Sequence, residues 1–520
     1  VLFFSKFNTG IFKFINGTTE LVISDPRLEA NKLVDIFDLD GKLLIITESN
    51  GFYFLENKKL VPWKIDPSID LHSLRIFSST KLKDNSVILG TVSKGYFQIT
   101  SEGHLKYDLN FEKGLSNNTV LSVFEDQQNN LWLGLDIGIS FINLSTQFTV
   151  YNDTKGVIGT VYSSIIHEDY LFLGTNQGLF YKRRESDTNF TFIGGTNGQV
   201  WSLKVIDDLL FCGHDSGTFI IKDQKIHQTI FDLPGTWDFK QLANNPTIIL
   251  QGNYSGLSFL EKSSGKWVFR NKIKGFELSA RFYEQRGNKI FVNHELRGLY
   301  ELELTDDLLS VSSVSNISSS VKKGSGSSIL NFSNDLYYAS SEGVSKYVDT
   351  QGEFITSDSF SNLLSSFIIR STLMDVKESD GLKWCFADNN ILIVSTGSIS
   401  EIPNSEIIPV SLSNFRTVVS GFENLTKIGV DEYLLGSSNG YFIFNSSISK
   451  PSHLYNIKLN SVEASMMDQE KLKLGLESNQ TLDYETNSLY FNYSIPHYHN
   501  IVKKNYSYML EGWSTRWSDW

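Results

Sequence analysis

The residue types that perform catalysis or bind metals are scattered along this sequence and form no motif. The chain has nine histidines, and it contains no His-Glu-x-x-His, no Gly-x-Ser-x-Gly and no phosphate-binding glycine loop. His497 and His499 are spaced to lie on one face of a strand, which suits a metal, but no Cys, Asp or third His lies nearby in the sequence. We therefore predict no catalytic residue, no metal site and no cofactor.

Aromatic and polar residues at equivalent points of neighbouring segments are better candidates for a binding site. Three segments run from a glycine to an aromatic residue: Gly159-Thr-Val-Tyr162, Gly198-Gln-Val-Trp201 and Gly235-Thr-Trp237. The polar pairs that accompany such segments are Asn176-Gln177, His214-Asp215, Asn253-Tyr254 and His294-Glu295. Aromatic rings stack on the C–H faces of sugars and polar groups bind the hydroxyls, so an oligosaccharide is the expected ligand.

The predicted ligand site therefore has eight members. They are Tyr162, Trp201, Trp237, His214, Asp215, Asn253, Tyr254 and His294. The alternative interpretation is structural, with the aromatics packed inside the fold and the polar residues in solvated turns. We assign Trp132 to packing because it belongs to the Leu-Trp-Leu-Gly core position of its segment. Tyr506 and Tyr508 alternate along a strand and so share one face, which we expect to be a packing face.

The elements that position these residues come from an internal repeat, in which an apolar run, a polar turn, a glycine and a second apolar run follow one another. It reads Leu-Gly-Thr-Asn-Gln-Gly-Leu-Phe at 173–180. The turn glycines are Gly10, Gly51, Gly95, Gly138, Gly178, Gly217, Gly256, Gly298, Gly343 and Gly440. With a degenerate copy at 384–393, there are eleven copies and a mean period of 43 residues. Short strands repeated at this period are typical of β-propeller blades.

The apolar runs also exclude helical repeats. They last only a few residues, are rich in Phe, Tyr, Ile, Val and Leu, and lack the three-and-four spacing of a helix face. We therefore expect an all-β chain in which helix is nearly absent.

Composition and charge narrow the function classes further. The chain is 40% hydrophobic and 13% aromatic, which is enough for large cores. Its net charge is −12 and no basic block occurs, which argues against contact with nucleic acid or an anionic membrane. No apolar run reaches the length of a membrane span. Cys212 and Cys385 lie in different repeats, so no disulfide framework is expected.

Two stretches resemble known families. Residues 114–143, with Gly-Leu-Ser at 114–116 and Leu-Trp-Leu-Gly at 131–134, closely resemble the two-component-regulator propeller repeat. The other copies over about 1–450 match the same frame more loosely. The segment Tyr506-Ser-Tyr-Met-Leu-Glu-Gly-Trp513 is similar to the triple-tyrosine domain that follows such propellers. That resemblance implies an immunoglobulin-like β-sandwich at the C-terminal end.

Counting repeats back from Pro451 gives the domain organisation. We predict a partial first β-propeller of about four blades at 1–144 and a complete seven-bladed β-propeller at 145–450. The start of the triple-tyrosine immunoglobulin-like β-sandwich follows at 451–520. Because an incomplete ring has unpaired edges, we expect the chain to be a fragment of a longer protein.

The family resemblance implies the periplasmic sensing region of a membrane-spanning regulator of Gram-negative bacteria, of the hybrid two-component or LuxR type. It also implies a transmembrane segment beyond Trp520 and an output domain that is a histidine kinase or a helix-turn-helix DNA-binding domain. We expect a small-molecule or oligosaccharide ligand and a homodimer formed through the C-terminal sandwich. Two alternatives stay open: a protein-interaction scaffold, and a propeller lyase or glycosidase, for which the sequence offers no acid–base pair.

Overall fold

The structure is a computed structural model in which the chain forms two compact units. It describes residues 2–6, 8–29, 31–70, 73–184, 189–294, 296–317, 327–332, 335–340, 343–355, 373–379, 382–387, 390–395, 404–409, 422–448, 456–466, 470–476, 481–498, 504 and 506–518. Unit 1 comprises Val1–Phe111, Leu115–Thr146 and Ile448–His499, and unit 2 comprises Glu112–Gly114, Gln147–Ser447 and Asn500–Trp520.

Unit 1 begins with four antiparallel sheets among its described residues. Their strands are β1–β3 (Leu2–Lys6, Gly10–Ile15, Thr18–Ile23), β4–β7 (Leu33–Leu39, Lys42–Thr47, Phe52–Glu56, Lys59–Pro62), β8–β11 (Ile76–Lys81, Val87–Thr91, Tyr96–Ile99, Leu105–Leu109) and β12–β14 (Val120–Glu125, Asn130–Leu135, Ile139–Asn143). The described helical segments of the chain are α1 (Pro26–Glu29) and a 3-10 turn (Phe111–Lys113).

Unit 2 contains seven four-stranded antiparallel sheets within its described part, which are named blades 1 to 7 in chain order. The strands are β15 (Phe148–Asn152); blade 1, β16–β19 (Val161–His167, Tyr170–Thr175, Leu179–Arg183, Thr191–Phe192); blade 2, β20–β23 (Val200–Ile206, Leu209–His214, Gly217–Lys222, Lys225–Phe231); blade 3, β24–β27 (Thr236–Leu242, Asn245–Asn253, Leu257–Ser263, Lys266–Lys272); blade 4, β28–β31 (Phe282–Arg286, Lys289–His294, Gly298–Leu304, Val311–Asn316); blade 5, β32–β35 (Ser328–Phe332, Asp335–Ser340, Gly343–Val348, Glu353–Ile355); blade 6, β36–β39 (Leu373–Ser379, Leu382–Ala387, Asn390–Ser395, Asn404–Pro409); and blade 7, β40–β42 (Leu425–Lys427, Glu432–Ser437, Gly440–Asn445).

Blade 7 closes the ring with strands from both ends of the unit. Its fourth strand is β15, which pairs with β42 so that Phe148 lies opposite Phe444. On the inner side, the Ser164 hydroxyl of blade 1 lies 2.8 Å from the Thr426 hydroxyl of blade 7. First and last blades are therefore joined directly, and closure of this kind leaves the ring without open edges.

The repeated Leu-Gly of the second strand has a steric cause. A Cβ at Gly213 would lie 2.5 Å from Ser202 Oγ in the same blade and 2.9 Å from Thr236 O in the next blade. The turn glycine that follows, Gly217, has a φ of 140°, and a Cβ there would lie 2.0 Å from Phe231 O. Glycine is needed at both points because the backbones approach too closely for any side chain.

The apolar cores lie between neighbouring blades. In the core between blades 2 and 3, the rings of Phe211 and Trp267 meet edge to face at 5.8 Å. The members of this core are Ile206, Phe211, Ile220, Ile230, Phe239, Ile249, Leu260 and Trp267. Successive residues of a strand enter the cores on opposite faces of the blade, as Leu210 and Phe211 do, which explains the short uninterrupted apolar runs of the repeat.

The last part of unit 1 is a three-stranded sheet in the order β44-β43-β45, with strands β43 (Lys458–Ser465), β44 (Leu472–Leu474) and β45 (Ser488–Ser494). The all-β propeller fold that the sequence predicts is confirmed, and the degenerate copy at 384–393 covers most of β37 and β38. The domain boundaries at 144 and 450 stay predictions. In the described part of the chain, no helix has the length and apolarity needed to cross a membrane.

Candidate functional site

A β-bulge opens the inner strand of blades 1, 2 and 3. In blade 1, Val161 pairs with Thr175 and Ser163 pairs with Gly174, which leaves Tyr162 without a partner across the ladder. Trp201 and Trp237 occupy the same bulged position in β20 and β24. At a bulge the extra residue interrupts the regular alternation of side chains, so these three aromatic side chains lie outside the blade cores.

The three aromatics meet one another across the blades. The ring centroids of Tyr162 and Trp201 are 4.9 Å apart, and those of Trp201 and Trp237 are also 4.9 Å apart. Tyr254, from the turn after β25, continues the row at 4.7 Å from Trp237. The structure thus brings together four of the eight predicted site residues.

Phe422, which precedes β40 in blade 7, completes this group. Its ring stacks on Trp201 at 4.9 Å with an interplanar angle of 22° and lies 4.7 Å from Tyr162. Blades 2 and 7 are not neighbours, so a contact between their side chains requires that both point towards the ring axis. We call Tyr162, Trp201, Trp237, Tyr254 and Phe422 the aromatic cluster; all five side chains are half-buried.

A guanidinium group caps the cluster on the side of blade 4. Arg281 Cζ lies 3.6 Å from the ring centroid of Phe422 and 5.5 Å from that of Trp237. Phe422 therefore contacts both an indole and a guanidinium. Such cation–π contacts orient the cation flat on the ring face.

Two contacts fix the position of Tyr254, one with the backbone of Gly235 and one with the indole of Trp201. Its ring lies directly over Gly235, which has a φ of 82°. The Trp201 Nε1–H group donates a hydrogen bond of 2.8 Å to the Tyr254 hydroxyl oxygen. Burial raises the pKa of Tyr254; the hydrogen bond from Trp201 opposes this shift, and the charge of Asp215 adds to it.

His214 belongs to the fold of blade 2, since its side chain is only 1% exposed. Burial lowers the pKa of His214 below its ordinary value, against the opposing charge of Asp215. Its imidazole Nε2 lies 3.2 Å from Thr196 O, and the Ser216 N–H donates to Nδ1 at 3.0 Å. Asp215 itself is half-buried at the turn, and its Oδ1 lies 2.8 Å from His214 Nδ1.

Asn253 and His294 also have partners within the fold. Asn253 is 3% exposed; it accepts from Gln251 Nε2 at 2.7 Å and donates to Ser258 Oγ at 2.8 Å. His294 Nδ1 accepts from the backbone N–H of Arg297 at 3.3 Å. The described contacts of these two residues do not connect them with the aromatic cluster, and their role in ligand binding stays a prediction.

The sequence prediction did not include Phe422 or Arg281. The position of Arg281 can be found by counting back from its turn glycine, Gly298, which lies 17 residues later. Tyr162, Trp201 and Trp237 lie at similar distances, 16, 16 and 19 residues, before their own turn glycines. Phe422 lies 18 residues before Gly440, so the same count finds it. An arginine in this frame is not an aromatic residue, so the aromatic pattern alone does not indicate it.

The remaining candidates lie elsewhere in the chain. Trp132 packs on Phe141 at 5.0 Å and on Tyr498 at 4.8 Å, which agrees with its assignment to packing. Tyr508 is 68% exposed, so the packing role assigned to it finds no support here. Among the residues that the structure describes, no group of His, Cys, Asp and Glu is arranged to hold a metal, and His499 lies outside them.

Comparison with known proteins reveals a shared fold. No family model matches the sequence, and no curated protein matches it. Among solved structures, the fold is similar to the extracellular domain of BT3049 of B. thetaiotaomicron, described as a hybrid two-component system. The TM-score is 0.68 at 17% identity, over 99% of this chain and 70% of that one. The extracellular domain of BT4673 from the same organism aligns at 14% identity over 98% of this chain and 73% of that one, with a TM-score of 0.42, which is too low to carry an argument.

Proposed function

We propose that this chain is the extracytoplasmic ligand-sensing region of a two-component regulator and that it binds an oligosaccharide at the aromatic cluster. Similarity to the BT3049 extracellular domain supports the general role. A periplasmic location, a membrane anchor beyond Trp520 and a homodimer through the C-terminal sandwich belong to the same proposal and rest on the resemblance of the repeats and the tyrosine-rich segment. The proposal assigns no enzymatic activity to the chain.

One observation carries the oligosaccharide proposal: five half-buried aromatic rings from four blades converge on the ring axis. The rings that belong to blade cores, such as Phe211 and Trp267, are almost fully buried. Trp201 and Trp237 lie outside those cores and remain partly accessible. Sugars bind to accessible aromatic surface of this kind, because their C–H faces are apolar and their hydroxyls are not.

Polar groups suited to sugar hydroxyls surround the rings. Asp215 is joined to the cluster through Gly235, whose N–H donates to Asp215 O at 2.8 Å, and its half-buried carboxylate can accept hydrogen bonds. The Tyr254 hydroxyl and the Arg281 guanidinium supply donors at two other points of the cluster. Apolar surface combined with a few directed polar groups is the usual composition of a small-molecule site.

Calorimetric titration of the purified chain tests this function. The probes are maltohexaose, cellohexaose, xylohexaose, mannohexaose, arabinohexaose and trigalacturonate. We expect one of them to bind at a 1:1 ratio, and Trp201→Ala to weaken its binding by about 1–3 kcal/mol, as loss of a central aromatic does elsewhere. The matched control is Phe269→Ala on the outer strand of blade 3, where the ring is 39% exposed.

The control should bind like the wild type and both variants should keep the circular dichroism spectrum of the folded chain. Binding that is equal in Trp201→Ala, Trp237→Ala and wild type would move the site elsewhere. If none of the six oligosaccharides binds, the oligosaccharide proposal fails.

A further inference from the structure

Each indole of the aromatic cluster donates its N–H to a hydroxyl of the following blade. Trp201 Nε1 of blade 2 lies 2.8 Å from the Tyr254 hydroxyl, which belongs to blade 3. Trp237 Nε1 of blade 3 lies 3.0 Å from Ser279 Oγ, at the entry to blade 4. We call these the two indole–hydroxyl pairs. The repetition from one blade to the next follows from the equivalent bulged positions of the two tryptophans.

The direction of these hydrogen bonds is fixed by chemistry. An indole N–H can only donate, so the hydroxyl oxygen accepts in each pair and its own proton remains to be donated elsewhere. Within the described part of the chain, neither the Tyr254 hydroxyl nor the Ser279 hydroxyl donates to an acceptor at hydrogen-bonding distance. Both residues are half-buried, so neither is sealed inside a blade core.

The indole N–H groups are already taken, so the two tryptophans can offer a ligand ring surface but no hydrogen-bond donor. Trp201 already contacts the rings of Tyr162, Trp237 and Phe422, and its N–H is taken by Tyr254. Trp237 contacts Trp201 and Tyr254, and its N–H is taken by Ser279. A hydroxyl that accepts a hydrogen bond becomes a better donor, because the bonds of a chain polarise one another.

We infer that the hydroxyls of Tyr254 and Ser279 are the ligand-contacting donors of this site and that the Trp201 and Trp237 N–H groups position them. The groups recognised are oxygen acceptors of the ligand: the hydroxyl, ring or glycosidic oxygens of a sugar. This inference rests on the proposed function and assigns a separate role to each side chain. Ser279 is a site residue that the aromatic pattern of the sequence does not indicate.

The test removes single hydroxyls and keeps the rings. In calorimetry with the oligosaccharide that binds the wild type, Tyr254→Phe and Ser279→Ala should each weaken binding about three- to tenfold, the usual effect of one hydrogen bond. Two matched variants remove a hydroxyl outside the pairs. Ser255→Ala deletes an exposed hydroxyl next to Tyr254 that bonds Glu277, and Tyr300→Phe deletes a half-buried one in blade 4. Both should bind like the wild type.

A double-mutant cycle tests the positioning role of the indole. Trp237→Phe keeps an aromatic ring but removes the N–H, so it should weaken binding less than Trp237→Ala does. The losses in Trp237→Phe and Ser279→Ala should be non-additive, because both act through the same donor. If Trp237 had only a structural role, Trp237→Phe would lower the melting temperature, and its effect on binding would simply add to that of Ser279→Ala.

The outcomes separate the inference from the function. If no oligosaccharide binds the wild type, the proposed function fails and the inference fails with it. If binding is weakened by Trp201→Ala but is unchanged in both Tyr254→Phe and Ser279→Ala, only the inference is overturned. Additive losses in the double-mutant cycle would contradict the positioning role of Trp237.

Discussion

The ring of Tyr254 lies directly on the backbone of Gly235: a Cβ at Gly235 would fall 2.0 Å from Tyr254 Cγ. The atom approached is the rigid base of the ring and cannot move aside as a flexible side-chain end would. The absence of a side chain at Gly235 therefore sets the position of Tyr254, and with it the acceptor for the Trp201 N–H group.

Gly235→Ala should disable the cluster without unfolding blade 3. An alanine at a φ of 82° costs about 1–2 kcal/mol in backbone strain, and its methyl group must also displace the Tyr254 ring. We expect oligosaccharide affinity to fall by roughly tenfold or more. The matched control is Gly265→Ala in the same blade, where φ is 79° and no atom lies within 4 Å of the added methyl. Gly265→Ala should carry the same backbone strain but bind the oligosaccharide with wild-type affinity. An equal loss of affinity in both variants would contradict this prediction.

The stability of unit 2 should fall as the pH drops below neutrality, through His214. Burial lowers the pKa of His214 in the folded chain, so between that lowered pKa and the unfolded value of about 6.5 the unfolded state binds more protons. The stabilisation is complete above about pH 6.5 and is lost as the pH falls through the folded pKa. Urea unfolding at pH 7.5, 6 and 5 measures this dependence.

His214→Gln should flatten the pH dependence, whereas His227→Gln on the exposed face of β23 should leave it as in the wild type. An unchanged pH profile in His214→Gln would show that the dependence comes from other groups.

Ring closure should depend on the buried phenylalanine of β15. Phe148 is 6% exposed and lies 5.1 Å from the ring of Phe444. Phe148→Ala should cost about 3–5 kcal/mol, the usual range for a buried phenylalanine. Hydrogen exchange of the β42 amides, followed by mass spectrometry, should then accelerate by about a hundredfold or more. Phe192→Ala, on outer strand β19 where the ring is 37% exposed, should change the exchange far less; an equal effect would argue against closure through β15.

The sequence predicted those parts of the site that depend on local pattern. Spacing from the turn glycines placed Tyr162, Trp201 and Trp237 at equivalent strand starts, and the structure has all three at a bulge. The ring-to-ring contacts with Phe422 were out of reach, because they join segments more than 180 residues apart. Such a contact depends on how the ring closes, which no local pattern encodes.

The sequence also could not show which of the predicted site residues are buried. His214 and Asn253 are the last residues of β21 and β25, directly before Asp215 and Tyr254, and their chemistry alone suggested ligand contacts. The structure turns both side chains inward, where Thr196, Ser216, Gln251 and Ser258 satisfy them. Adjacent residues at a strand end face opposite ways, and the sequence does not say which one faces inward.

Tryptophan side-chain NMR tests the central claim most directly, since the chain has nine tryptophans and each gives one indole N–H signal. The chain labelled with 15N-tryptophan is titrated with the oligosaccharide that binds in calorimetry, and single Trp→Phe variants assign the signals. If the ligand binds at the aromatic cluster, the Trp201 and Trp237 signals shift together, while those of Trp63 and Trp132 in unit 1 stay in place. A saturable shift of Trp63 or Trp132 with Trp201 and Trp237 unmoved would contradict it and locate the ligand outside the seven-bladed ring.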